Sequence, residues 1–343
     1  LTLNGGSLQT AGSFDMSRNI VVGASNGTID VQSNANILKG IVSGDGQLTK
    51  SGSGVLKVTG DLNQAGGTAL NAGTLQIGNG GIDGAIKGNV AIANGATLEF
   101  NHSNVEIYEG ALSGAGFLKV DSPGGVIMKG DSSAFTGTAA INGTTTVNGI
   151  LGASTVTVSS TGELDGIGQV LGNTAVESGG KLAGTQGTTM QFDKNLVLES
   201  GSILELELGT ATNQALFSVG GDLTLNTQIN VSSIGGFGAG TYRVFDYTGN
   251  LVNAATVATD VTFGTLPTGI VANDLTLVTS NINQISILNT AGVTVNVWDG
   301  SNPGGGSVSG GSGIWNTSGN SWTEDSGNAT NSWKTDEFAL FQA

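Results

Sequence analysis

Three stretches decide the fold: Gly54-Val55-Leu56-Lys57-Val58, Gly73-Thr74-Leu75-Gln76-Ile77 and Gly95-Ala96-Thr97-Leu98-Glu99-Phe100. Each opens on glycine and then alternates polar with apolar positions, the period-2 pattern of a short half-buried strand that follows a turn. Working outward, the same phrase returns at Gly46-Gln47-Leu48-Thr49, Gly116-Phe117-Leu118-Lys119-Val120, Gly162-Glu163-Leu164, Gly180-Lys181-Leu182, Gly201-Ser202-Ile203-Leu204-Glu205-Leu206 and Gly221-Asp222-Leu223-Thr224-Leu225. The leading apolar residues stand 19 positions apart from Leu56 to Leu75, 23 to Leu98 and 20 to Leu118; Leu182 to Leu204 is 22, and Leu204 to Leu225 is 21.

A period near 20 marks a unit that cannot bury its own apolar face and must stack on its neighbours. Three short strands joined by glycine-bearing corners close such a unit into a triangular coil. The fold class is therefore all-β: a right-handed parallel β-helix, a solenoid of about 20 residues per coil whose inward Val, Leu and Ile line up along the axis. The intervening Thr, Asn, Ser and Lys are expected to face water. About 14 coils before residue 290 would give a rod on the order of 65 Å at the usual strand spacing. A leucine-rich horseshoe would show Leu-x-x-Leu-x-Leu with alternating helices, and neither is present. Residues 210 to 290, where the repeat is least regular, leave a two-sheet sandwich as the alternative.

Composition agrees. There are 59 Gly, but not at every third position as collagen requires, and the recurring aliphatic runs are foreign to a disordered chain. A formal charge of −15, with only 11 Lys plus Arg, argues against nucleic acid or an anionic membrane as partner. With no Cys, disulfides, thiolate metal sites and thiol catalysis are all excluded. No run approaches the ~18 apolar residues of a membrane helix. Leu1 opens directly on strand-like alternation, as in a chain cut from something longer.

One region is more specific than the period. Gly44-Asp45-Gly46-Gln47-Leu48-Thr49-Lys50-Ser51-Gly52-Ser53-Gly54-Val55-Leu56-Lys57-Val58-Thr59-Gly60, continued by Gly66-Gly67-Thr68-Ala69-Leu70-Asn71-Ala72-Gly73-Thr74-Leu75-Gln76-Ile77-Gly78, closely resembles the autotransporter-associated β-strand repeat of secreted bacterial passenger domains. Leu3-Asn4-Gly5-Gly6-Ser7-Leu8, Glu177-Ser178-Gly179-Gly180-Lys181-Leu182-Ala183 and Gly240-Thr241-Tyr242-Arg243-Val244-Phe245-Asp246-Tyr247 look similar to the same family. Gly184-Thr185 departs from the Pro-Gly usual after such a segment and is expected to alter one corner only. The resemblance implies an extracellular or cell-surface β-helical stalk, structural or adhesive. It also implies a C-terminal membrane barrel that this segment does not contain.

The expected organisation is a β-helix body over 1–290 and a different tail over 291–343. All four Trp fall there, after 297 residues with none, and residues 300 to 313 read as a Gly/Ser-rich linker. The tail resembles the Trp-containing opening of a next module. Self-association or partner contact would then use Trp298, Trp315, Trp322, Trp333, Phe338 and Phe341 at one end and Leu1 and Leu3 at the other, because the end of a β-helix presents unpaired strand edges. Head-to-tail docking would build a filament; a secreted ligand or toxin binding a host receptor is the alternative.

Catalytic candidates are few, and no cofactor is expected. His102, the single His, lacks the companions that a catalytic or metal role needs and is expected on a solvent-facing loop. Glu205 with Glu207, and Glu99 with Lys119 one coil on, share outer faces; a carbohydrate-active enzyme would need such acids clustered in a groove. Asp45, Asp165 and Asp222 beside glycine read as turn residues. Calcium repeats, phosphate loops and EF-hands are missing, and the Asn26, Asn101 and Asn142 sequons are no more than chance supplies.

Overall fold

The computed structural model describes residues 1–293, 295–300, 308, 310–314, 319–323, 330–333 and 338–340. Nearly every element is a short strand, and from the N-terminus to residue 233 almost all pairing is parallel to the strand one coil away. The chain is an all-β parallel β-helix.

On one face eleven strands stack in sequence from Asp15–Met16 to the start of Leu223–Ser233. Their register creates two aliphatic columns. The first runs Leu56, Leu75, Leu98, Leu118, Ala139, Val156. The second runs Leu38, Val58, Ile77, Phe100, Val120, Ile141, Val158. All of these are buried. Because side chains in a strand alternate, two inward positions per strand suffice, and stacking turns each coil's small apolar set into one continuous core.

Eleven coils, not fourteen, wind in this way, so the stack is about 50 Å long at the usual strand spacing. The expected coil length holds, but beyond Ser233 that part of the stack gains only Thr262–Phe263. Gly240–Tyr247 still runs parallel to Phe217–Val219 on one edge. On its other edge it pairs antiparallel with Gln284–Asn289, which pairs antiparallel with Leu275–Val278. The irregular region is thus a continuation of the stack that ends in an antiparallel edge, and not a separate sandwich. The spacing from Leu204 to Leu225 is also not one coil step: Leu204 pairs with Ile229, and Leu225 with Leu198 on a different face.

Polar residues also take inward places, Lys50 and Asn36 among them, against the rule that non-aliphatic positions face water. Lys50 takes an inward place in the column Ile29, Lys50, Leu70, Ile92 and is fully buried. Asn36 stands beneath Leu56, equally buried, with its amide donating to the carbonyls of Gly12 and Phe14. Gly184-Thr185 lies inside the strand Lys181–Thr185 and forms no corner; Gly184 faces inward, where a Cβ would strike the Phe217 ring.

Candidate functional site

The outer face of the coils is mostly a low relief of hydroxyls and amides, so a concave acidic feature stands out. A groove of about 390 Å³ is lined by Glu163, Asp165, Thr185, Glu205 and Glu207, with Thr146 and Ser232 at its ends. Its shape follows from the sequence. Ala183 faces outward between Asp165 on the preceding coil and its own register partner Glu205 on the next, so a small side chain leaves a notch between two rows of carboxylates.

Glu205 is held from two sides. Lys181 Nζ lies 3.6 Å from its carboxylate, and Asn230 donates to it at 3.1 Å. Glu207 accepts from the Thr185 hydroxyl at 2.8 Å. Asp165 differs: its Oδ1 is buried without a hydrogen-bond partner. Burial pushes its carboxyl above the ordinary range, against a smaller opposing effect of the Thr146 hydroxyl. Glu163 is raised as well, by burial first, with Lys181 opposing and the charges of Asp165 and Glu205 adding to the rise.

So the groove presents carboxylates and hydroxyls on three successive coils, some already engaged and one short of a partner. Chemically it suits a hydroxyl-rich or cationic ligand. Among the described residues no three His, Cys, Asp or Glu side chains gather in a way that could hold a metal ion. Glu99 and Lys119 do pair across adjacent coils at 3.7 Å, but Lys119 also pairs with Asp121 in an ordinary surface ladder. Asp165 lies within the strand Glu163–Gly166 and is no corner residue. What sequence reasoning missed is that Glu163 and Asp165 share the groove with Glu205 and Glu207; an acid at every second position of two strands was the available signal.

The end-contact residues fall in different settings. Leu1 is exposed and Leu3 buried; Leu1 lines a cavity of about 410 Å³ with Leu8, Phe14 and Met16 of the first coil and Ile20 at the start of the second. Trp298 and Trp322 are buried and meet edge to face at 5.1 Å, and Trp333 packs against Trp322 at 4.9 Å. Phe338 begins the strand Phe338–Leu340, which pairs parallel with Val295–Trp298. Trp315 and Phe341 lie outside the described residues. His102 overturns its expectation: it is fully buried, with Nε2 at 2.7 Å from the Gly84 carbonyl oxygen.

A parallel solenoid of roughly twenty-residue coils, glycine at its corners and hydroxyls over its faces, places the chain in the class of parallel β-helix repeat proteins. No family model matches the chain, and no solved structure matches it. Among curated proteins it is similar to the adhesin BmaC autotransporter of Brucella suis biovar 1 (strain 1330), at 33% identity over 303 residues, 81% of the chain. The chain spans about 8% of that relative's length. Fold and similarity together place it among autotransporter passengers, which are secreted and displayed at the cell surface. Among the described residues no helix is long and apolar enough to cross a membrane.

Proposed function

We propose that this segment works in adhesion: a non-enzymatic stretch of a surface-displayed β-helix that holds ligand-contacting side chains on a rigid scaffold. The similarity to an adhesin across most of the chain carries this reading. A continuous dry core supports it physically, since contact residues on stacked strands keep their spacing under load. Within the segment, the acidic groove at Glu163, Asp165, Glu205 and Glu207 is the contact we assign to ligand.

Beads coated with the purified chain should adhere to cultured host cells, and the Glu205→Gln, Glu207→Gln double variant should adhere less while keeping its circular dichroism. Equal adhesion by both would remove the groove from the reading. No adhesion by the parent chain, or release of sugar fragments from cell-surface glycans, would defeat it as a whole.

End-to-end assembly is the second reading, since the terminal strands of a β-helix offer unpaired edges. Under it the intact chain forms rods in electron micrographs, and removal of residues 298 to 343 leaves monomers. A monodisperse intact chain at high concentration would exclude it.

A further inference from the structure

Between the strand Thr74–Ile77 and the strand Ala85–Ile86 the chain makes a glycine-rich excursion, Gly78-Asn79-Gly80-Gly81-Ile82-Asp83-Gly84. Gly78, Gly80 and Gly84 take left-handed backbone angles, and Ile82 at its tip is 71% exposed. The loop has almost no apolar anchor of its own. What lies beneath it is His102, fully buried one coil on, with its ring so close under Gly78 that a Cβ there would collide with it.

The hydrogen bonds define the state of that ring. A carbonyl oxygen can only accept, so Nε2 at 2.7 Å from Gly84 O must be the N–H. Nδ1 is buried and has no partner. In the neutral tautomer it is merely an idle lone pair. In the imidazolium it becomes a second N–H donor with nothing to receive it, inside a site without solvent access.

We propose that His102 is an acid-sensitive latch: its neutral ring pins the loop 78–84 onto the coils, and its protonation frees the loop while the coils stay wound. Two backbone bonds tie the loop to the His102 segment and report on the latch, Gly80 N–H to the Asn101 carbonyl and Ser103 N–H to the Gly81 carbonyl, each 2.9 Å.

The charged groups on the surrounding elements are Asp83 on the loop, Lys57 and Asp61 on the preceding coil, Lys87 and Glu106 past the corners, and Lys119 and Asp121 on the following strand. None of their side chains hydrogen-bonds the ring. Lys57 donates to Asn79, and Lys119 is paired with Asp121 and Glu99. Burial holds the imidazole below its ordinary range, outweighing the Gly84 and Asp83 carbonyls, which favour the charged ring. Glu106, pushed up to about 7 by burial, titrates nearby, but a raised carboxyl gains stability on acidification, the opposite sign.

The test uses the intact chain, where a single histidine gives one unambiguous ring signal by NMR. The ring should titrate below 6.5. Hydrogen exchange at Gly80 and Ser103, corrected for its intrinsic pH dependence, should rise on acidification to a plateau about tenfold higher for each unit by which the ring's midpoint lies below its free value. Amides of the core strand Thr97–Phe100 should not follow. A midpoint at or above 6.5, or exchange at Gly80 and Ser103 that ignores pH, would overturn the latch. His102→Gln keeps a donor for Gly84 and cannot titrate, so it should lose the acid response; retention of that response would assign it to another group and also overturn the proposal. Should that variant fail to fold, the relation between midpoint and plateau in the parent chain decides alone.

Discussion

Lys50 and Ala72 lie on successive coils, and the ammonium of the first donates to the carbonyl oxygen of the second at 2.7 Å. The same ammonium donates to Gly52 and Gly54, also at 2.7 Å each. An aliphatic column has thus accepted a cation because glycine corners bring three carbonyls to one point. Gly73, at φ 66°, is part of the arrangement: a Cβ there would meet both the ammonium and the Gly54 carbonyl.

Replacing Lys50 with Met should therefore destabilise the chain although it removes a buried charge. Carbonyls left without a donor cost on the order of 1–3 kcal/mol. The parent also carries a signature that Lys50→Met lacks. Burial lowers the Lys50 pKa from 10.5 to about 8, with Asp30 opposing. Between those values the unfolded chain holds a proton that the fold has released, so raising the pH favours the fold. Urea midpoints measured across that window should climb for the parent relative to the variant.

The contrast between the leucine columns and Lys50 shows what was readable in advance. Leu56, Leu75, Leu98 and Leu118 are legible as inward because alternation, glycine and a period near 20 all place them on one phase, and all four are buried. Leu48 two positions earlier puts Lys50 on the inward phase, but a lysine argues for the outward one, and nothing local reveals that the carbonyls of Gly52, Gly54 and Ala72 converge to hold its ammonium. His102 was hidden for the same reason, since its acceptor Gly84 sits in a loop of the preceding coil. The groove escaped because its four acids are brought together by register across coils, which depends on corner lengths such as 186–189 that the repeat does not fix.

Leu98 lies between Leu75 and Leu118 with no exposed surface. Truncation to Ala should cost about 2 to 5 kcal/mol, the usual range for a buried leucine whose cavity collapses only partly. In a stack, each coil touches only its neighbours. Hydrogen exchange should therefore quicken first in the strands Thr74–Ile77 and Phe117–Val120, and least at the distant Thr155–Val158. Uniform acceleration along the chain would show that the coils unfold as one unit.

Asp165→Asn is predicted to stabilise. At neutral pH the parent keeps a partly buried carboxylate above its ordinary pKa, with Oδ1 lacking a partner, so the charged form is disfavoured in the fold. For such a group the fold takes up a proton before the unfolded chain does, and acidification from neutrality narrows its handicap. The gain of the Asn variant should be largest near neutrality and fade once pH has fallen to the ordinary value of 3.8. Denaturant titrations at neutral and acid pH check the sign, and a variant less stable than the parent at neutrality would contradict it.

Trp322 offers a separate probe, because tryptophan fluorescence in this chain comes only from the tail. Its indole is fully buried, edge to face with Trp298, and the two residues are direct partners in an antiparallel pair. Trp298 in turn donates from Nε1 to the Gly311 carbonyl at 2.9 Å, so the aromatic pair also fixes a piece of the glycine-rich connection. Trp322→Ala should remove about 3 to 5 kcal/mol from the small sheet, the range for a buried aromatic. Near-UV circular dichroism should lose its tryptophan bands, and the remaining fluorescence should shift to the red as Trp298 and Trp333 meet water. Among the described residues the body's core cluster runs from Leu3 to Ile287 and includes neither Trp298 nor Trp322, so its far-UV unfolding midpoint should stay in place. A common shift of both transitions would mean that the tail sheet braces the last coils.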